Sequence, residues 1–176
     1  VSELTLFLGY EALRHQRLES REIETPLDTL ECGQLRDNVV LLPVLRAGVG
    51  MLDAMLTVVP EAKVGFIGLY RDPDTHHPVH YYDRIPEPSP EGDTMVILDP
   101  MLATGGSTIA AIEHVKALGY GSIIAISILA SRNGLAAVED ACPYVSLTIG
   151  ALDEKLNAQD YIVPGLGDAG DRLFGT

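Results

Sequence analysis

Five short apolar runs constrain the fold of this chain more than any other feature. They cover residues 39–45, 64–69, 95–98, 123–129 and, more weakly, 145–149. A strand with one wet face alternates polar and apolar residues, whereas a continuous run fits a strand covered on both faces, as in a parallel sheet. Helical stretches follow the first, third and fourth runs, at residues 49–59, 107–118 and 134–141, and Gly119 stands where the second of these would stop. Strand and helix in alternation predict an α/β fold: an open, mainly parallel five-stranded sheet with helices on both faces. Ligands of such sheets bind beyond the carboxyl ends of the strands. The 176 residues, 47% of them apolar, fit a single domain with a sizeable core.

Two segments depart from the alternation. Residues 2–14 read as a helix, with Leu4, Phe7, Leu8 and Glu11 in helical spacing and Ser2 as N-cap, and residues 18–26 read as an edge strand. Residues 72–92 are long, polar and proline-rich and are expected to form a protruding β-arm or flap. Tyr70, Tyr81 and Tyr82 flank the arm, and packing within a hairpin or a subunit contact accounts for them better than base stacking. His76, His77 and His80 have the look of a metal cluster. They lack a matching carboxylate arrangement, so a solvated loop is the preferred reading.

Composition narrows the function. The net charge of −13 repels phosphate backbones, which disfavours nucleic-acid binding. Any phosphate site must then be local, built from backbone N–H groups and a few placed arginines. Cys32 and Cys142 form no zinc-type spacing and read as free thiols. No apolar stretch is long enough to span a bilayer, and no lipidation or secretory signal is visible, so a cytoplasmic protein without membrane partners is expected. The sequence opens on Val1 rather than Met, and nothing follows about an earlier segment.

The strongest local signal is Met95-Val-Ile-Leu-Asp-Pro-Met-Leu-Ala-Thr-Gly-Gly-Ser107. A hydrophobic strand ends in Asp99, a turn follows, and Thr104, Gly105, Gly106 and Ser107 open a helix. Free N–H groups, two hydroxyls and the positive end of a helix dipole then surround one point, and glycine lets an anion approach the backbone. The lysine of a Walker loop is absent. A merely capped, glycine-rich turn is the bland alternative. Asp99, at the strand's carboxyl end, favours a ligand site, because its carboxylate is placed for ribose hydroxyls or magnesium. Arg46 and Arg71 each follow a buried run, and two guanidinium forks on neighbouring strand ends suit a pyrophosphate. The tail from Tyr161 to Phe174 shows no helix or strand period but is too apolar for a solvated end. Its glycines suit a loop that offers backbone N–H and C=O groups to a flat base.

These segments resemble the uracil phosphoribosyltransferases, within the type I phosphoribosyltransferase superfamily. Asp99-Pro-Met-Leu-Ala-Thr-Gly-Gly-Ser107 is similar to that family's loop for phosphoribosyl diphosphate (PRPP), with Pro100 where most of the superfamily has a second acid. Pro43-Val-Leu-Arg-Ala-Gly-Val-Gly-Met51, Ile67-Gly-Leu-Tyr-Arg71 and Tyr161-Ile-Val-Pro-Gly-Leu-Gly-Asp-Ala-Gly-Asp-Arg-Leu-Phe-Gly-Thr176 resemble the family in the family's order. The resemblance implies transfer of a phosphoribosyl group from PRPP to uracil, giving UMP and pyrophosphate, with Mg2+ carried mainly by PRPP. It implies PRPP contacts at Arg46, Arg71, Asp99, Pro100, Met101, Leu102, Ala103, Thr104, Gly105, Gly106, Ser107 and Asp168. It implies uracil contacts at Ile162, Gly167, Asp168 and Ala169, a C-terminal base-binding loop, and catalytic roles for Asp168 and Arg71. Asp168 is a candidate for orienting magnesium or for accepting the N1 proton.

The resemblance further implies a homodimer or higher homo-oligomer and, as in some family members, GTP as an effector. Two departures stand out: Ser131-Arg132-Asn133 replaces the usual residues after the fourth strand, and the family's N-terminal arm is missing. The rivals are transfer to another base, such as a purine, and a PRPP-sensing regulator that binds RNA. The tail weighs against the first, and the charge together with the lack of a basic stripe weighs against the second.

Overall fold

The computed structural model describes residues 1–71, 78–90 and 92–176, the side chains of Arg71 and Pro78 excepted. In chain order the elements are α1 (Ser2–Leu13), β1 (Leu18–Glu24), β2 (Thr29–Leu35), β3 (Asn38–Leu45), α2 (Val49–Val58), β4 (Lys63–Val64), β5 (Phe66–Arg71) and β6 (Pro78–Arg84). Then come β7 (Asp93–Leu98), β8 (Met101–Leu102), α3 (Gly106–Ala117), β9 (Ser122–Ser131), α4 (Arg132–Ala141), β10 (Ser146–Asp153), β11 (Lys155–Leu156), β12 (Ile162–Val163) and α5 (Ala169–Phe174).

All five apolar runs lie in one sheet, ordered β10-β9-β7-β3-β5-β6. Every pair along it is parallel except β5 with β6, and β4 and β8 add short parallel pairs beside β3 and β9. Side chains on alternate strand positions fill two cores. Val40, Leu42, Met95, Ile97, Ile123 and Ala125 meet Ala111, Ile112 and Val115 of α3 and Val138 of α4 on one face. Val39, Leu41, Val96, Leu98, Ile124 and Ile126 meet Ala12 and Leu13 of α1 and Met51 and Met55 of α2 on the other. Burial on both faces is why these strands read as unbroken apolar runs.

The structure corrects several expectations. The expected five-stranded sheet is wider, because Pro78–Arg84, from the expected β-arm, adds an antiparallel edge strand to β5. Tyr70 and Tyr81 pack within that hairpin, ring centroids 6.2 Å apart. The expected edge strand over 18–26 is β1, which pairs with β2 as a hairpin separate from the central sheet, its residues exposed or half-buried. Val1 rather than Ser2 precedes the first helix, and the Thr5 hydroxyl donates to its carbonyl. The tail is partly regular: β12 pairs with β11, and α5 closes the chain. Its six-residue length is too short for a helical period to show.

Gly119 has φ +104° and ends α3 as expected. The His80 ring packs at a tilt against His114 of α3, which hydrogen-bonds Asp83, while His76 and His77 lie outside the described residues. Burial and the neighbouring His114 lower the His80 pKa, against the pull of Asp83. Among the described residues no group of three or more His, Cys, Asp or Glu side chains could hold a metal, and no helix is long and apolar enough to cross a membrane.

Candidate active site

The chain leaves β3 for α2 and β5 on one side, then returns to lay β7 and β9 on the other. The reversal opens a crevice beyond the carboxyl ends of β3 and β7, the place where open α/β sheets bind ligands. Arg46 follows β3 and Asp99 follows β7, so both candidates stand at this crevice. The peptide between Leu45 and Arg46 is cis.

The phosphate loop begins at Asp99. Pro100 is buried, and its carbonyl accepts from the N–H groups of Ile128 and Leu129 at 3.1 and 3.0 Å. Leu102 is 1% exposed. These two residues therefore anchor the loop to β9, whereas Met101, Ala103 and Ser107 line the crevice. Gly105 is the N-cap of α3, with φ +85°. A side chain there would be strained, and its Cβ would lie 3.0 Å from the Gly134 carbonyl oxygen. Gly106 has ordinary φ, and a Cβ on it would meet only Thr104 Oγ1, at 3.7 Å. The expected backbone constraint thus falls on Gly105, while Gly106 faces open space beside the N–H groups of the helix start.

Ser131 was missed as a support for this loop. Fully buried, it donates to the Ala103 carbonyl at 2.5 Å and accepts from the Gly134 N–H at 2.9 Å. It caps α4 and ties that helix to the outer side of the loop. A side chain at Gly134 would overlap the Ala103 and Leu102 carbonyl oxygens, so the two segments pack backbone to backbone. The serine before a helical run was the legible signal; its partner in the loop was not.

The Asp99 carboxyl is enclosed by protein although the residue keeps some surface open to the crevice. Burial raises its pKa to about 6, against hydrogen bonds from the Met101 N–H at 3.3 Å and the Thr108 hydroxyl at 3.5 Å. It is thus mostly ionised at neutral pH and ready to accept from hydroxyl groups.

The tail folds over the crevice. Gly165 and Gly167 take φ of +53° and +77°, and Asp168 caps α5 by accepting from the Asp171 N–H at 2.9 Å. Ile162 and Ala169 are buried. Two cavities adjoin here. One, of about 370 Å³, is lined by Ala103, Tyr161, Ile162, Gly167 and Ala169 among others. The second, of about 260 Å³, is lined by Arg46, Asp99 and Ser107 among others. Ala47, Met101, Asp168 and Gly170 line both. The structure therefore gathers the base candidates around the first and Arg46 and Asp99 around the second, with Asp168 on the shared wall. Arg46 also pairs with Asp171, at 2.8 Å, a contact absent from the sequence reading. Arg71 ends β5, beside β3, and its side chain is outside the described residues.

Residues 1–176 match the profile of the family described as uracil phosphoribosyltransferase. A uracil phosphoribosyltransferase of Streptococcus agalactiae is 49% identical over the whole chain, which spans 84% of that relative. One of Geobacillus kaustophilus is 50% identical with the same coverage. Among solved structures, a protein from Aquifex aeolicus superposes with TM-score 0.93 at 40% identity, over 99% of this chain and 84% of that one. A purine phosphoribosyltransferase from Pyrococcus horikoshii shares the fold, with TM-score 0.60 at 16% identity, over 88% and 83%. The chain belongs to the uracil phosphoribosyltransferase family.

Proposed function

We infer that this chain transfers a phosphoribosyl group from PRPP to uracil, giving UMP and pyrophosphate, and we propose the residues that do so. The observation that carries the assignment of roles is the pair of adjoining cavities with Asp168 on their common wall. In this reading the N–H groups at Thr104 to Ser107 hold the 5′-phosphate, Asp99 accepts from the ribose hydroxyls, and Arg46 with Arg71 grips the pyrophosphate. Ile162, Gly167, Asp168 and Ala169 present backbone groups to the edge of uracil. A base with an amino group there would leave buried groups unpaired.

Bond formation from the base nitrogen to ribose C1 accompanies cleavage of the C1–oxygen bond to pyrophosphate. Negative charge grows on the leaving group, where the arginines stabilise it. Remote grip on the 5′-phosphate positions C1 against the base. Asp168, between the two cavities, faces both reacting partners and is placed to take the proton that the base nitrogen gives up as its bond to C1 forms. A full protein cage for Mg2+ is not needed, since this ion is commonly held by substrate phosphates with one or two carboxylates. Asp99 and Asp168, which line one cavity, fit that donor set. When bound, Mg2+ would neutralise pyrophosphate charge.

In this proposal residues 1–176 act as a single phosphoribosyltransferase domain of pyrimidine salvage in the cytoplasm. They assemble as a homodimer or higher oligomer, supported by the exposed Leu4, Phe7 and Tyr10 along α1. An effector role for GTP rests on family resemblance alone and would be read as a GTP-dependent change in PRPP saturation. The test of the function is UMP formation from PRPP and Mg2+ against a panel of bases. Uracil alone should be used efficiently; equal use of hypoxanthine or guanine would overturn the base assignment.

A further inference from the structure

Asp171 touches both charged residues that frame the two cavities. Its main-chain N–H donates to Asp168 Oδ1 at 2.9 Å, and its carboxylate accepts from Arg46 Nη2 at 2.8 Å. The Thr176 hydroxyl donates to the same carboxylate oxygen at 3.1 Å and accepts from Arg46 Nη1 at 3.2 Å. Asp171 lines neither cavity, whereas Arg46 lines the one on the phosphate side. The carboxylate therefore acts on Arg46 from behind.

A guanidinium carries five N–H donors in a rigid fork, so two can be spent on Asp171 and Thr176 while others face the crevice. Without that hold, Arg46 is a long side chain, about half exposed, which must give up rotamer freedom when it meets a ligand. Asp171 also dims the positive charge of Arg46, which by itself would weaken an anion site. Both side chains of the pair are about half exposed, so this loss is screened, whereas the gain in orientation is not. The same residue, through its N–H, fixes the carboxylate of Asp168 at the start of α5.

We propose that Asp171 is a positioning residue for PRPP: it presents Arg46 to the pyrophosphate and holds that grip in register with Asp168 on the base side. The proposal rests on the reading of Arg46 as a pyrophosphate contact. No covalent step is assigned to Asp171.

The test is Asp171→Asn, which keeps the shape and the main-chain bond to Asp168 while removing the ion pair. KM for PRPP should rise about fivefold, as expected for a half-exposed pair. The kcat should fall by a smaller factor than KM rises, because the pair acts first on the grip that binds PRPP. UMP, which has no pyrophosphate, should keep its dissociation constant within about twofold by calorimetry. In an Arg46→Ala background the same substitution should add nothing, since the residue acts through Arg46. An unchanged or lowered KM for PRPP would overturn the proposal. So would equal losses for PRPP and UMP, which mean general loosening of α5, or a full loss in the Arg46→Ala background. If Arg46→Ala itself leaves KM for PRPP unchanged, the assignment of Arg46 fails and the proposal falls with it. A normal Arg46→Ala effect with a silent Asp171→Asn overturns the proposal alone.

Discussion

Replacing Gly106 by valine adds three carbon atoms to the first residue of α3, at a position where the protein leaves room. A Cβ there has no protein atom nearer than Thr104 Oγ1, at 3.7 Å, and the backbone is outside the left-handed region. Valine is also no worse than glycine as a helix residue. The ligand-free fold should therefore lose nothing. The space the side chain fills is the space a phosphate needs to reach the N–H groups of the helix start. At UMP one hundred times its dissociation constant, binding stabilises the native state by about 2.7 kcal/mol. A chain of this size gains about 2–4 °C in melting midpoint per kcal/mol, so wild type should shift by about 5–11 °C. Gly106→Val should melt like wild type without ligand and show no UMP shift.

Gly105→Ala is the contrasting variant. A left-handed non-glycine residue costs about 1–2 kcal/mol, and the approach to the Gly134 oxygen at 3.0 Å adds to it. Its ligand-free midpoint should fall by about 2–8 °C. The assay is one set of melting curves with and without UMP for the three proteins. A full UMP shift in Gly106→Val, or a large ligand-free loss in it, would refute the reasoning and leave the loop as a capped turn.

Three further outcomes are expected. Asp168→Asn should cut turnover severely at saturating PRPP and Mg2+ while melting normally, because asparagine caps a helix as well as aspartate does; near-normal kcat would remove Asp168 from the chemistry. Arg46→Ala and Arg71→Ala should each weaken PRPP by about 1.5–3 kcal/mol and UMP far less; equal losses in calorimetry would mean that they serve the 5′-phosphate or the fold. Asp99 has a folded pKa of about 6 against an ordinary 3.8, so the folded state binds this proton more tightly. Its contribution to stability is then full below the unfolded value and is lost as pH rises to the folded one. Asp99→Asn should accordingly melt above wild type at about pH 7.5, with the gap closing toward about pH 4; a gap independent of pH would contradict the burial argument.

The central sheet was legible because β3, β7 and β9 are buried on both faces, so each strand is an unbroken apolar run. The crevice was legible because Arg46 and Asp99 interrupt such runs at their carboxyl ends. What failed was decided by distant contacts. Pro78–Arg84 falls within the expected β-arm, and only its pairing with β5 shows that it widens the central sheet. α5 is too short for periodicity and depends on the Asp168 cap. Ser131 and Asp171 support the loop and Arg46 across 28 and 125 positions of chain, a separation that no local pattern encodes. Gly105 and Gly106 are neighbours with opposite roles, separated by φ and by the room around a Cβ, neither of which the sequence shows.

The most direct measurement is a crystal structure of the chain with UMP bound. The proposed site puts the 5′-phosphate on the N–H groups of Thr104 to Ser107, the ribose hydroxyls at Asp99, and the uracil edge against the backbone of Ile162 and Gly167 to Ala169. A phosphate lying at Arg46, or a base seated away from the Ile162 and Ala169 cavity, would contradict it.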